Sequence, residues 1–344
     1  MRSSSSPKIK AVEPAAGIEG GKVLIEGSGF DPELSAHTKI DFGGVSGRVL
    51  LISYKRILAQ IPEDAAPGPI TVSVKGKASN PYEFKLGRKL SGNVNPVDNP
   101  IFDRDGNLYV TFSGKRGENA PVSVFKISPD GAESPHLTNI PNATSLAFDK
   151  QGNLFISSRF EGTVYKATPQ ADVTVFAKDL GAPTGLAFDP KGSLYAGDRG
   201  GRIFKISAEG KVSVFAEVPE SMVAYHLAFD ADGNLLVSSP GLSSYNNLLL
   251  IDAYGKVIPL YGGFGRPQGI AVDASGNIYV CEAKVGDSSI VKISPGGHMA
   301  TVVTGPIMVG LAFDGRGSLA VCTQTAVYKV PLGNHQPISK KAKS

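Results

Sequence analysis

An apolar triplet followed by Asp, two variable residues, Gly, Asn or Ser and an aliphatic residue recurs six times, with its aspartates at Asp103, Asp149, Asp189, Asp230, Asp273 and Asp314. Successive copies lie 40 to 46 residues apart. A fixed period of this length belongs to supersecondary units that cannot bury an apolar face alone and must stack on copies of themselves. Each copy reads as a hairpin: Asp accepts backbone N–H groups at the turn, and Gly supplies the positive φ that such turns need. The repeated aspartates are therefore expected to be turn caps and not metal ligands.

A four-stranded antiparallel unit fits around each hairpin. In the third copy the strands run over Gly185–Asp189, Ser193–Ala196, Arg202–Ile206 and Val212–Phe215. The first strand is apolar on both faces, as in Leu146-Ala147-Phe148 and Leu311-Ala312-Phe313, which suits an inner strand covered on each side by a neighbouring blade. Radial packing of such units is a β-propeller, and six phrases predict six blades over 88–333. After Ala326–Val330 the chain meets Pro331 with no fourth strand for the last blade, whereas 88–95 precede the first blade without a place of their own. The segment from Leu90 to Val94 is thus expected to close the ring as the outer strand of the last blade, removing two exposed sheet edges.

The preceding residues, 8–87, hold six or seven short apolar alternations cut by Gly and Pro, which predicts a small β-sandwich and an all-β chain overall. The run Ile9-x-x-Val12-x-Pro14-x-x-Gly17-x-x-Gly20-Gly21-x-Val23-x-Ile25-x-Gly27-x-Gly29-Phe30, with Phe42-Gly43-Gly44, Ile61-Pro62, Gly68–Val72 and Phe84 downstream, resembles the IPT/TIG family of immunoglobulin-like domains. That resemblance implies a spacer, adhesion or dimerisation module. Residues 1–7 and the tail 334–344, with Lys340, Lys341 and Lys343, read as disordered.

The repeats have a family likeness too. With no Trp in the chain, WD-type blades are excluded. Segments such as Pro183-Thr184-Gly185-Leu186-Ala187-Phe188-Asp189 and Pro267-Gln268-Gly269-Ile270-Ala271-Val272-Asp273 resemble NHL repeats and the related SMP-30/gluconolactonase propellers. The latter resemblance implies a divalent cation such as Ca²⁺, held by Glu, Asn and Asp at one channel mouth. Asp98-Asn99-Pro100 is similar to the family's Glu-Gly-Pro element, so Asp98 stands for the acidic metal ligand. Tyr225 and Gln268 occupy the places of the other two ligands, and one carboxylate with one amide holds a hard cation poorly.

Residues just before each inner strand converge on the mouth, which makes Asp98, Asn99, Thr144, Thr184, Tyr225, His226 and Gln268 the candidate ligand-binding set. His226 is the one histidine there and the candidate general base. A net charge of +4 without a basic, aromatic stripe argues against nucleic acid. The two cysteines, Cys281 and Cys322, sit at one repeat position in apolar strands and read as buried free thiols. No apolar stretch is long enough to span a bilayer, and no apolar core follows Arg2, so a cytoplasmic location is expected. The chain thus reads as a noncatalytic recognition or scaffold protein, with a protein or small molecule at the propeller mouth and the immunoglobulin-like domain as spacer or second contact. The alternatives are a metal-dependent lactonase or esterase of the gluconolactonase type, and a lyase acting on a cyclic ester.

Overall fold

The structure is a computed structural model and describes residues 6–117, 120–221, 223–238, 240–241, 243–284 and 287–332. The expected tail 334–344 and most of the expected N-terminal tail lie outside the described residues; Pro7 is buried, against Gly29. Apart from one short 3-10 helix, Pro32–His37, the described elements are all strands. No helix among the described residues is long and apolar enough to cross a membrane.

The N-terminal strands alternate inward and outward with period two. Val23 and Ile25, Ile40 and Phe42, Ile57 and Ala59, and Ile70, Val72 and Val74 all point into one core. Strand Val45–Ile52 pairs with both Arg56–Gln60 and Thr38–Phe42, so it passes from one layer of the sandwich to the other. The core is mainly aliphatic with three buried phenylalanines, of which Phe42 and Phe84 meet edge to face at 6.0 Å.

The repeats form a ring of small antiparallel sheets, each starting at the inner strand before a turn phrase. Five of these sheets have four strands. The sheet of the fifth phrase has six, because Ala16–Gly17 and Lys85–Leu86 of the N-terminal domain extend it beyond Met299–Gly305. The expectation of six equal four-stranded blades is therefore corrected to five, plus one sheet shared with the neighbouring domain. The physical reason is that the outer edge of this sheet is covered by another part of the same chain, which satisfies its free N–H and C=O groups.

Around the last phrase, Met308–Phe313, Ser318–Thr323 and Val327–Pro331 are completed by Arg88–Ser91, with Arg88 opposite Lys329 and Ser91 opposite Val327. That closing strand lies nearer the N-terminus than Leu90–Val94. Gly92 and Asn93 bend away, with the Asn93 amide donating to Ser91 Oγ at 3.1 Å, and Val94 is left outside the strand.

The turn phrases do what their chemistry dictates. Asp103 Oδ1 accepts the amides of Asp105 and Asn107 at 3.0 and 2.8 Å, and Oδ2 accepts Asn107 Nδ2 at 2.7 Å. Asp149, Asp230 and Asp273 repeat the pattern. The six phrase glycines have φ between 76° and 94°. A second, less regular turn joins the outer strands: Ser128, Thr168, Ser207, Asp252 and Ser294 each accept, through their carbonyls, the amide three residues later.

Neighbouring sheets are glued at one recurring contact. The residue six after the turn Asp packs edge to face on the residue just before the next one: Tyr109 on Phe148, Phe155 on Phe188, Tyr195 on Phe229 and Tyr279 on Phe313, at 4.9 to 5.2 Å between ring centres. Such pairs contribute about 0.5–1.5 kcal/mol each beyond simple burial. Tyr109 and Tyr279 also donate to the turn carboxylates of Asp103 and Asp273 at 3.2 Å, which ties hairpin and interface together.

Candidate functional site

The inner strands begin around one end of the channel, and the ring there is built largely from the predicted set. Thr144, Thr184, Tyr225 and Gln268 each stand five residues before a turn Asp, as does Asp98, whereas His226 and Asn99 stand four before. Small residues at the end of each second strand tie one repeat to the next. Ser157 Oγ donates to the Thr184 carbonyl at 2.8 Å, Ser238 Oγ to the Gln268 carbonyl, and Thr111 Oγ1 to the Thr144 carbonyl at 3.5 Å. In the third repeat this position is Gly197, where a Cβ would stand 2.9 Å from Tyr225 Cβ. Thr184 makes the tie instead, donating to the Gly197 carbonyl and accepting the Tyr225 amide at 2.9 Å. Cys281 and Cys322 hold the same position in the last two repeats; both are buried free thiols, and burial, with the nearby Asp98 charge, pushes both thiol pKa values up.

Most of the predicted mouth residues are thereby occupied in holding the ring. Asn99 bridges two repeats, donating to the Ile270 carbonyl and accepting the Leu311 amide, both at 3.0 Å. Thr144 donates to the Asn142 carbonyl at 2.8 Å. Tyr225 is fully buried and its hydroxyl donates to the Pro219 carbonyl; burial first, then the charges of Asp198 and Glu220, raise its pKa.

Asp98 and His226 find each other. They come from the first and fourth repeats, three sheets apart around the ring, and meet with Nδ1 2.5 Å from Oδ1. With an ionised carboxylate, which only accepts, Nδ1 is the donor of this contact. His226 is 0% and Asp98 3% exposed, and His226 Nε2 has no hydrogen-bond partner among the described residues. The pair spans the channel as a buried tie. A general base must reach its substrate, and His226 is sealed from solvent while Asp98 is engaged by it. No group of three or more His, Cys, Asp or Glu side chains among the described residues is placed to hold a metal ion.

Above this floor opens a cavity of about 1000 Å³. Thr184 and Gln268 are the members of the predicted set that line it, and the Gln268 side-chain amide makes no hydrogen bond to another described residue. Its charged lining is Arg159, Arg199, Arg266 and Lys284, with no carboxylate among the described lining residues. Arg159, Arg266 and Lys284 form no ion pair with an acidic side chain among the described residues. Arg159 has its pKa lowered by burial and then by the like charges of Arg199 and Arg116. Guanidinium groups stay charged regardless, so the crowding is an electrostatic cost that a bound anion would relieve.

No sequence motif marks these cations as a group. The available signal was positional: Arg159 and Arg199 both stand ten residues after a turn Asp, where the second strand ends and the chain crosses the mouth. Two buried carboxylates shape the loops around them. Glu282 Oε1 accepts the amides of Gly265 and Arg266 at 2.9 Å, which fixes the Arg266 backbone at the rim. Asp198 accepts the Ala182 amide at 2.8 Å and takes Arg202 through Nη2 and Nε at 2.6 and 2.9 Å.

Comparison with known proteins agrees with this architecture. Three solved structures illustrate the fold. A protein of unknown function from Bacteroides thetaiotaomicron is 16% identical, with TM-score 0.59 over 96% of this chain and 98% of that one. A candidate gluconolactonase is 21% identical, with TM-score 0.61 over 74% and 94%. An auxiliary nutrient binding protein from Bacteroides ovatus is 14% identical, with TM-score 0.55 over 95% and 98%. At these identities the likeness is one of fold. No curated protein sequence matches the chain. Residues 7–86 match the IPT/TIG domain model, and the chain is an IPT/TIG domain followed by a propeller-like ring of small sheets.

Proposed function

We propose that the chain is a noncatalytic binding protein whose propeller mouth takes an anionic small molecule. The observation that carries this reading is the roughly 1000 Å³ cavity with three arginines, one lysine and no described carboxylate in its lining. Cations gathered in a concave, partly desolvated space attract a negatively charged ligand more strongly than the same charges on open surface. Arginine adds a planar fork matched to carboxylate or phosphate oxygens. Gln268 supplies a neutral donor and acceptor for the uncharged part of the ligand. Recognition is favoured over lactone hydrolysis because Asp98 and His226 are joined to each other beneath the cavity floor. The structural neighbour named as a nutrient binding protein is consistent with a ligand-binding role.

The test is calorimetry at low salt with citrate, tartrate, galacturonate and inorganic phosphate. At least one should bind, with affinity falling at higher ionic strength and dropping at least tenfold in Arg159→Ala combined with Arg266→Ala. Absence of binding by every anion at millimolar concentration, or turnover of a lactone panel that Asp98→Ala abolishes, would overturn the reading.

A further inference from the structure

The mouth cavity does not stop at the propeller. At one end it shares Arg159 and Arg199 with a cavity of about 220 Å³ that adds Arg116 and the half-exposed ring of Phe160. At the other it shares Lys284 and Ile307 with a cavity of about 270 Å³ that adds Lys22 and Gln60 of the immunoglobulin-like domain. Shared lining residues make the three hollows one cleft. Its total extent exceeds the roughly 300–1000 Å³ that one drug-sized ligand fills.

The domain junction holds the far end in place. Gly17 pairs in parallel with Thr304 on one side and Leu86 on the other, the Ile18 amide donates to the Thr304 carbonyl at 2.9 Å, and the Lys22 amide donates to Thr304 Oγ1 at 3.0 Å. Ile18 is fully buried in the core of the fifth and sixth repeats. Lys22 therefore sits at the rim on a backbone clamped to the propeller, and does not swing on a tether.

Cations recur along this whole line, from Arg116 through Arg159, Arg266 and Lys284 to Lys22, with no carboxylate among the described lining residues. Between them lie groups that both donate and accept, such as Gln268 and Gln324, whose side-chain amides make no hydrogen bond to another described residue. Donor-acceptor side chains suit hydroxyls, which also do both, and an exposed aromatic ring such as Phe160 suits the apolar face of a sugar ring. We infer that the ligand is an elongated acidic sugar chain, a uronate oligomer, and that the immunoglobulin-like domain supplies the last subsite through Lys22 and Gln60. This inference rests on the anion-binding reading of the mouth and extends it.

The experiment is calorimetry on the full chain with a 1,4-linked galacturonate series from monomer to hexamer at one ionic strength. Affinity should rise at least tenfold from monomer to hexamer. Lys22→Ala, Gln60→Ala and Arg116→Ala should each weaken the hexamer at least threefold while leaving the monomer unchanged. Monomer binding with no length dependence, or rim variants without effect on the hexamer, would overturn the extended site and leave the mouth reading standing. Failure of every anion to bind would remove both. Tighter binding of a hexa-aspartate peptide or a short single-stranded oligonucleotide than of the hexamer would overturn the sugar assignment.

Discussion

Replacing Asp98 by Ala separates a buried structural tie from a catalytic or metal-binding carboxylate. In the native protein both partners are almost completely removed from solvent and are joined at 2.5 Å. Truncation leaves the imidazole, whose Nε2 already lacks a described partner, with both nitrogens buried and unsatisfied. Breaking one side of a buried pair costs about 3–5 kcal/mol. A folding unit the size of this ring shifts in Tm by about 2 °C per kcal/mol at least, so the melting temperature should fall by at least about 6 °C. His226→Leu should cost a similar amount. The double variant Asp98→Ala with His226→Leu, which removes both halves of the pair, should cost less than the sum of the two singles, giving a coupling of about 2 kcal/mol or more. The assay is calorimetric or circular-dichroism melting of the four proteins, with anion affinity measured in parallel on Asp98→Asn, where the amide still accepts from Nδ1. Affinity should stay within about twofold, because the pair lies below the cavity and does not line it. An Asp98→Ala protein that melts like the native one, or an Asp98→Asn protein that is fully stable yet loses its ligand, would refute the assignment.

The interdomain clamp makes two further demands. A Cβ at Gly17 would stand 2.7 Å from Ile61 Cδ1 and 2.8 Å from Thr304 Cγ2, so Gly17→Ala should cost about 1–3 kcal/mol in denaturant titrations and raise proteolysis at the junction; an unchanged midpoint would mean that the contact is not maintained in solution. Glu19 accepts from Lys89 Nζ at 2.8 Å and Tyr328 OH at 2.6 Å; burial raises its pKa, but these two donors and the Lys89 charge outweigh it and hold the carboxyl below its usual value. A depressed folded-state pKa contributes stability that is fully present above the unfolded value of about 4.3 and is lost as the pH falls through the folded value. The difference in Tm between the native protein and Glu19→Gln should therefore be constant from neutral pH to about 5 and shrink below about 4; a difference that grows on acidification would contradict the pairing.

The sequence by itself determined the periodic part of this protein. Asp103 and its five counterparts, each with a Gly three residues on, dictate hairpins through local hydrogen bonds that need no tertiary partner. Alternation at Val23 and Ile25 or Ile70, Val72 and Val74 fixes which face of a strand is buried, again locally. Even the closing strand was foreshadowed by a missing fourth strand after Pro331, though its register at Arg88–Ser91 was set by pairing with Val327–Pro331. The site was not legible in the same way. Position within a repeat brought Asp98, Tyr225, His226 and Gln268 to one mouth, but position cannot say which polar groups bond each other and which face an opening. The Asp98–His226 tie joins residues 128 apart in the chain, and only closure of the ring brings them together. The same closure gathers Arg159, Arg199, Arg266 and Lys284, scattered singly along the sequence, around one cavity. Tertiary structure also decided that Ala16–Gly17 would extend the fifth repeat sheet, because an exposed sheet edge accepts whichever extended segment the fold delivers to it.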